Sequence, residues 1–286
     1  MKHFSILLLC IGINLITLAQ ENLRAEHALL KTFVPEEEHS QVYKIKPALD
    51  IPITVVGGGW TLYAFSQIYN REHSTEDQIN ALNPNDINGF DRWAYKVYSE
   101  KAATTSDYFL YGAMPLPLFL LFDKSIRSDF GKVGLLYLEA MAVTGTLYST
   151  AAISANRYRP YAYNPEAPMS LRTGGGAKNS FFAGHVALVG TSTFFIAKVF
   201  SDYHPDSKLR PYLWTGAVLA TGTTAYLRHR GGRHFPSDIL TGAAVGTLSG
   251  ILIPQFHKIK LIKNENMTLL PYVGSDSRGI AMVYRL

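Results

Sequence analysis

The sequence predicts an all-α, six-helix transmembrane bundle that ends in a short C-terminal β-hairpin, and three observations predict it. Of the 286 residues, 47% are hydrophobic and only 17% are charged, below the roughly 25% usual for a soluble domain. Six long apolar runs with almost no charge recur after residue 50, and the polar material is confined to connectors and one acidic loop, residues 71–107. The tail, residues 257–286, loses that character and reads as two strand-like segments around a turn.

Each element follows in order. Met1-Lys2-His3 precedes the apolar run 4–18, and Thr17-Leu18-Ala19 sets small residues before Gln20. Residues 1–19 therefore read as a secretory signal peptide, followed by a polar N-terminal segment, residues 20–50. The single cysteine, Cys10, lies inside that leader. A processed chain has no thiol, which excludes cysteine catalysis, disulfides and Cys-ligated zinc. The apolar runs are 51–70, 108–122, 133–155 (interrupted by Glu139), 180–197, 211–227 and 239–256. Several lie near the lower limit of about 17 residues for a helix crossing a bilayer, so their number carries the argument. Together they make one membrane domain, residues 51–256. Tyr63, Tyr69, Tyr108, Tyr212, Trp214 and Tyr226 stand near run ends, as interfacial belts do, and the Gly, Ala, Ser and Thr of the last three runs suit close packing in lipid. Residues 267–272 and 279–284 are the strand-like segments, with Gly274-Ser275-Asp276-Ser277 as the turn.

The net charge of +5 comes without a basic stripe, so no nucleic acid is expected as a partner. Gly174-Gly175-Gly176 lacks the Lys-Ser/Thr of a nucleotide cradle. No cofactor and no metal are implied.

Polar residues with catalytic potential gather at run ends. Arg157-Tyr158-Arg159-Pro160 follows the third run, Gly184-His185 opens the fourth, and Arg228-x5-His234-x3-Asp238 bridges the fifth and sixth. Composition alone supplies that last spacing in about two chains per hundred. Two fixed guanidiniums neutralise a phosphate, and a Gly-His turn lets a backbone N–H approach its oxygens, which assigns Arg159, Arg228 and Gly184 to binding. A histidine held by a carboxylate presents its free nitrogen as a nucleophile; Asp238, one turn beyond His234, is the expected partner. His185 is then the acid that protonates the departing oxygen. His229, Arg230 and Arg233 read as a solvated or headgroup-facing rim.

These residues, in this order and on successive helix ends, resemble the type 2 phosphatidic acid phosphatases, which share a core with vanadium haloperoxidases. The resemblance covers roughly residues 51–256. It implies an all-helical six-span core and metal-independent hydrolysis of a lipid phosphate through a phosphohistidine on His234. His185 would be the acid, Asp238 would orient His234, and Arg159 and Arg228 would be phosphate ligands. The chain departs from the family pattern at three places: Ala152 stands where the first motif has Lys, Phe182-Ala183 where the second has Pro-Ser, and Leu227 where the third has Ser. Arg157 or Lys178 is the expected source of the missing charge.

The expected function is thus an integral-membrane phosphatase acting on a phosphomonoester or pyrophosphate of a lipid. A phosphotransferase using the same nucleophile and a catalytically silent scaffold of the same fold are the rivals. Protein partners are unknown from sequence. The expected location is the bacterial inner (cytoplasmic) membrane, multi-pass, with the site facing the periplasm. An exported leader and six spans would place the 157–179 loop inside the cell, and a re-entrant segment at 108–122 would restore the outward parity.

Overall fold

A computed structural model describes residues 42–259 and the backbone of Met267–Val273 and Arg278–Tyr284. The signal peptide, most of the polar N-terminal segment and the 274–277 turn lie outside the described residues.

Six helices carry the architecture: α1 (Pro47–Tyr69), α2 (Glu100–Ala113), α3 (Phe130–Ala155), α4 (Gly184–Tyr203), α5 (Arg210–Arg230) and α6 (Pro236–His257). Proline stands in the first turn of α1, α5 and α6, where its missing N–H costs nothing. Ser99 caps α2 by accepting the Ala102 N–H at 3.2 Å. α3 stops at Asn156, whose φ of 41° is a left-handed cap that asparagine tolerates.

α4 is the axis of the bundle. It packs against α6, α5, α3 and α2, while α1 lies along α3. The α4–α6 approach is close because Gly242, Gly246 and Gly250 form one stripe on α6. A Cβ on Gly242 would come within 2.5 Å of the Ala183 carbonyl oxygen, and one on Gly250 within 2.6 Å of the Thr191 carbonyl oxygen. Small residues at four-residue spacing let two backbones meet in this way. One core cluster joins Tyr43, Leu120, Ile126, Leu136, Phe195 and Val199; a second, near the other end of α3, joins Ile68, Tyr148, Ala152, Phe182 and Ala187.

The outer surface is apolar. Val56 is 70% exposed, Leu62 75%, Tyr108 72%, Leu219 63% and Leu240 61%, so large hydrophobic side chains project outward from four different helices. Apolar surface on this scale marks a membrane protein. α4 and α6 are each long and apolar enough to cross a bilayer.

The expectation of six spanning helices needs correction at the second run. Five of the helices have 20 residues or more, but α2 has 14, a length of about 21 Å against a hydrocarbon core of about 30 Å. It begins at Glu100, before the apolar run, and ends at Ala113. Pro115 and Pro117 then remove two N–H donors, and Leu116–Phe122 continues as a 3₁₀ helix. The segment runs from one end of the bundle to the other and does not turn back on itself. α2 starts beside the 231–235 connector, where Arg233 bonds Glu100, and Leu120 packs at the far end of the bundle with Tyr43 and Leu136.

In the tail, Met267–Val273 (β1) pairs antiparallel with Arg278–Tyr284 (β2), with Met267 opposite Tyr284 and Val273 opposite Arg278.

Candidate active site

His234 lies in the connector between α5 and α6 and is 1% exposed. Its Nδ1 is 2.6 Å from the Ser180 carbonyl oxygen, which can only accept. The ring proton is therefore on Nδ1, and the Nε2 lone pair accepts a long contact from Arg228 Nη2 at 3.5 Å. Burial, and then the positive charges of Arg159 and Arg228, hold this imidazole well below its ordinary pKa against the opposing Ser180 bond. It is neutral at pH 7.

Asp238 was expected to hold His234, and it does not touch the ring. Its carboxylate accepts Arg157 Nη1 at 2.5 Å on Oδ1, and Ser180 Oγ at 2.6 Å and the Phe235 N–H at 2.9 Å on Oδ2. The third residue of a helix turns back on its own N-terminus, so Asp238 closes α6 and clamps Ser180, whose carbonyl in turn holds the ring. Asp238 acts at one remove.

Arg157 and Lys178, expected as replacement phosphate ligands, are both outside the wall of the cavity that holds His234. Arg157 bridges two buried carboxylates, Asp238 at 2.5 Å and Asp91 at 2.7 Å, and lies over the Phe235 ring at 4.3 Å. Burial alone would raise the Asp91 pKa; hydrogen bonds from Ser237, Arg157 and Asn88 outweigh it and hold the group below the usual carboxylate range. The Lys178 ammonium lies over the Tyr158 ring. Arg157→Ala leaves two carboxylates buried without their cation, and the expected loss is about 3 kcal/mol of stability. Thermal unfolding in detergent checks it, with Lys178→Ala expected to match wild type in both unfolding and activity.

His185, the second residue of α4, bonds Asp107 Oδ1 through Nε2 at 2.8 Å. Arg228 Nη1 is 3.5 Å from the same oxygen and donates to Ser106 Oγ at 3.2 Å. Arg159 spends Nε on the Asn179 carbonyl at 2.8 Å. His185, His234, Arg159, Gly184 and Arg233 share the wall of one cavity of about 950 Å³. Gly184 is required there, since a Cβ would fall 2.7 Å from the Tyr148 ring. From this polar end the cavity runs between α1, α2 and α3 past Phe65, Leu62, Val55, Leu110 and Leu138.

Sequence reasoning missed three residues. Asp107 and Ser106 come from the acidic loop; the signal was a polar pair on a helix that continues into an apolar run. Arg233 was assigned to the rim, but it lies in the cavity wall, where Glu100 accepts two bonds at 2.9 Å and the guanidinium covers Tyr161 at 5.2 Å.

Residues 133–261 match the model of the PAP2 superfamily. The matched stretch holds Arg159, His185 and His234. No curated protein sequence matches it. Among solved structures it is similar to that of Aquifex aeolicus LpxE, at 20% identity over 57% of this chain and 90% of that one, with a TM-score of 0.39. It is also similar to the first transmembrane PAP2 type phosphatidylglycerolphosphate phosphatase from Bacillus subtilis, at 19% identity over 72% of this chain and 96% of that one, with a TM-score of 0.44.

Two of the departures from the family pattern, Ala152 and Phe182, pack in one buried cluster. Ala152 is 1% exposed, so the large ring sits where a longer side chain at 152 would need room. Arg71 completes the arrangement by donating to the Lys178 carbonyl at 2.7 Å and the Ala152 carbonyl at 3.1 Å. The two arginines in the cavity wall are Arg159 and Arg233; Arg228, 4% exposed, lies behind it.

Proposed function

We propose that this protein is a lipid phosphatase that hydrolyses a phosphomonoester or pyrophosphate through a phosphohistidine on His234. The observation that carries the reading is one cavity with two imidazoles and two guanidiniums at its polar end and an apolar channel between helices behind them. That shape takes an amphiphile with an anionic head. Arg159 and Arg233 neutralise the phosphoryl oxygens from the cavity wall, and Arg228, buried behind that wall, adds its charge beside His234 Nε2. Nε2 of His234 attacks phosphorus, the bond to the alcohol or phosphate leaving group breaks, and His185 gives the leaving oxygen a proton. Water then attacks the phosphohistidine, giving its proton back to His185 and releasing inorganic phosphate with His234 restored.

The broken helix α2 and its 3₁₀ extension make the second of six passes, so both termini of the bundle lie opposite the site. In the bacterial inner membrane, a periplasmic site places Val42 and Lys258 at the cytoplasmic end. This orientation requires that the leader does not deliver residue 42 to the outside.

Phosphate release by the purified protein tests the substrate class. A long-chain lipid phosphate in mixed micelles is expected to have a kcat/KM at least ~100-fold above that of its water-soluble headgroup phosphate, because remote apolar binding energy is used at the reacting centre. Equal values would remove the lipid reading, and no release from either would leave the scaffold.

A further inference from the structure

A second cluster of ionisable groups lies away from the site, about 28 Å along α6 from Asp238 at 1.5 Å per residue. Asp50 in the first turn of α1, Glu139 midway along α3 and His257 at the end of α6 are 0%, 3% and 8% exposed. Each turns one atom inward, and these atoms all lie within 4.8 Å of one another. Asp50 Oδ2 accepts the Lys46 N–H at 2.6 Å, which leaves Oδ1 for the interior. His257 Nδ1 lies 2.7 Å from the Ile253 carbonyl, so the proton is on Nδ1 and Nε2 offers its lone pair. That nitrogen is 3.2 Å from Asp50 Oδ1 and 3.9 Å from Glu139 Oε2. Neither carboxylate oxygen has a hydrogen-bond partner.

Three lone pairs thus face one point among buried apolar side chains. The lysines at this end of the bundle do not supply the missing charge, since Lys198 and Lys258 both bind Asp202. Two carboxylates buried without a counter-ion are strongly unfavourable, and a divalent cation beside a neutral imidazole brings the net charge to zero. Ligand atoms about 2.0–2.1 Å from a shared tetrahedral ion are about 3.3 Å apart; the His257–Asp50 spacing of 3.2 Å meets this, and Glu139 Oε2, 3.9 Å from His257, needs only a small inward shift. A metal-bound histidine commonly donates its other ring N–H to a backbone carbonyl, as His257 does.

We propose that Asp50, Glu139 and His257 bind a divalent transition-metal ion, Zn²⁺ before Mn²⁺, which ties α1, α3 and α6 together far from the phosphate site. The donor set of one imidazole and two carboxylates suits both metals. The test uses the full chain purified in detergent with its affinity tag removed. Elemental analysis is expected to find about one Zn²⁺ per chain, removed by a chelator and regained on adding Zn²⁺ alone. Re-addition is expected to raise the unfolding temperature of wild type by several degrees and to leave Glu139→Gln and His257→Ala unmoved. Glu139→Gln preserves shape and the Asp50–His257 contact; should it fail to fold, the wild-type stoichiometry and chelator shift decide alone. Sub-stoichiometric Zn²⁺ and Mn²⁺ in wild type, or an equal temperature shift in the variants, would overturn the site and leave an ion pair sharing a proton.

Discussion

His234→Ala is expected to lower phosphate release from a lipid phosphate by about 10³-fold or more while the unfolding temperature stays near that of wild type. The ring is buried, but its partners are a backbone carbonyl and, at 3.5 Å, Arg228 Nη2, and it faces an open cavity, so its removal costs chemistry more than packing. The same group sets the pH response. Its pKa lies below the ordinary value of 6.5, so protonation, which consumes the attacking lone pair, is postponed to lower pH. Activity therefore persists as pH falls through 6.5, and the acid limb of kcat/KM lies below it. Arg159→Gln removes one of the charges that depress the pKa and moves that limb upward. A limb centred at 6.5 in both proteins, or an active His234→Ala, would exclude His234 as the nucleophile.

How much of this was legible in the sequence depended on whether the cause was local. Helix positions followed from apolar runs, because burial in lipid imposes length and composition on each segment separately. α2 escaped that logic: its first eight residues carry Glu100, Lys101 and Asp107, and it pairs those groups with Arg233 and His185 across the fold. Arg159, His185 and His234 were legible because each stands at a run end, and run ends meet at one face of a bundle. Their hydrogen-bond partners were not. Asp238 sits one turn from His234 in sequence, yet a helix N-terminus draws a carboxylate in the first turn onto its own N–H groups. The partner that holds the ring is a backbone carbonyl 54 residues earlier, and carbonyls leave no mark in a residue pattern. Arg157 and Arg233 exchanged expected roles for a similar reason. Nothing in the spacing distinguishes an arginine that meets Asp91 and Asp238 from one that meets an exposed glutamate at the cavity wall.

Loss of His185 is expected to lower activity on an alkyl phosphate by about 10²–10⁴-fold, and to matter far less when the leaving group is a weakly basic phenolate. A strongly basic alkoxide cannot depart from phosphorus without a proton, whereas a nitrophenolate can. His185 lies in the cavity wall with Nε2 fixed by Asp107, so the ring is oriented before substrate arrives. The comparison separates chemistry from scaffolding: misplacement of Arg228 or collapse of the cavity would depress both substrates alike, because both carry the same phosphoryl group. Asp107→Asn sharpens the distinction. It keeps the contact and the shape but weakens the hold on the ring, so a loss of about 10-fold confined to the alkyl substrate is expected. Equal losses on alkyl and aryl phosphates in both variants would reassign His185 to binding the phosphate and leave the leaving oxygen to be protonated by water.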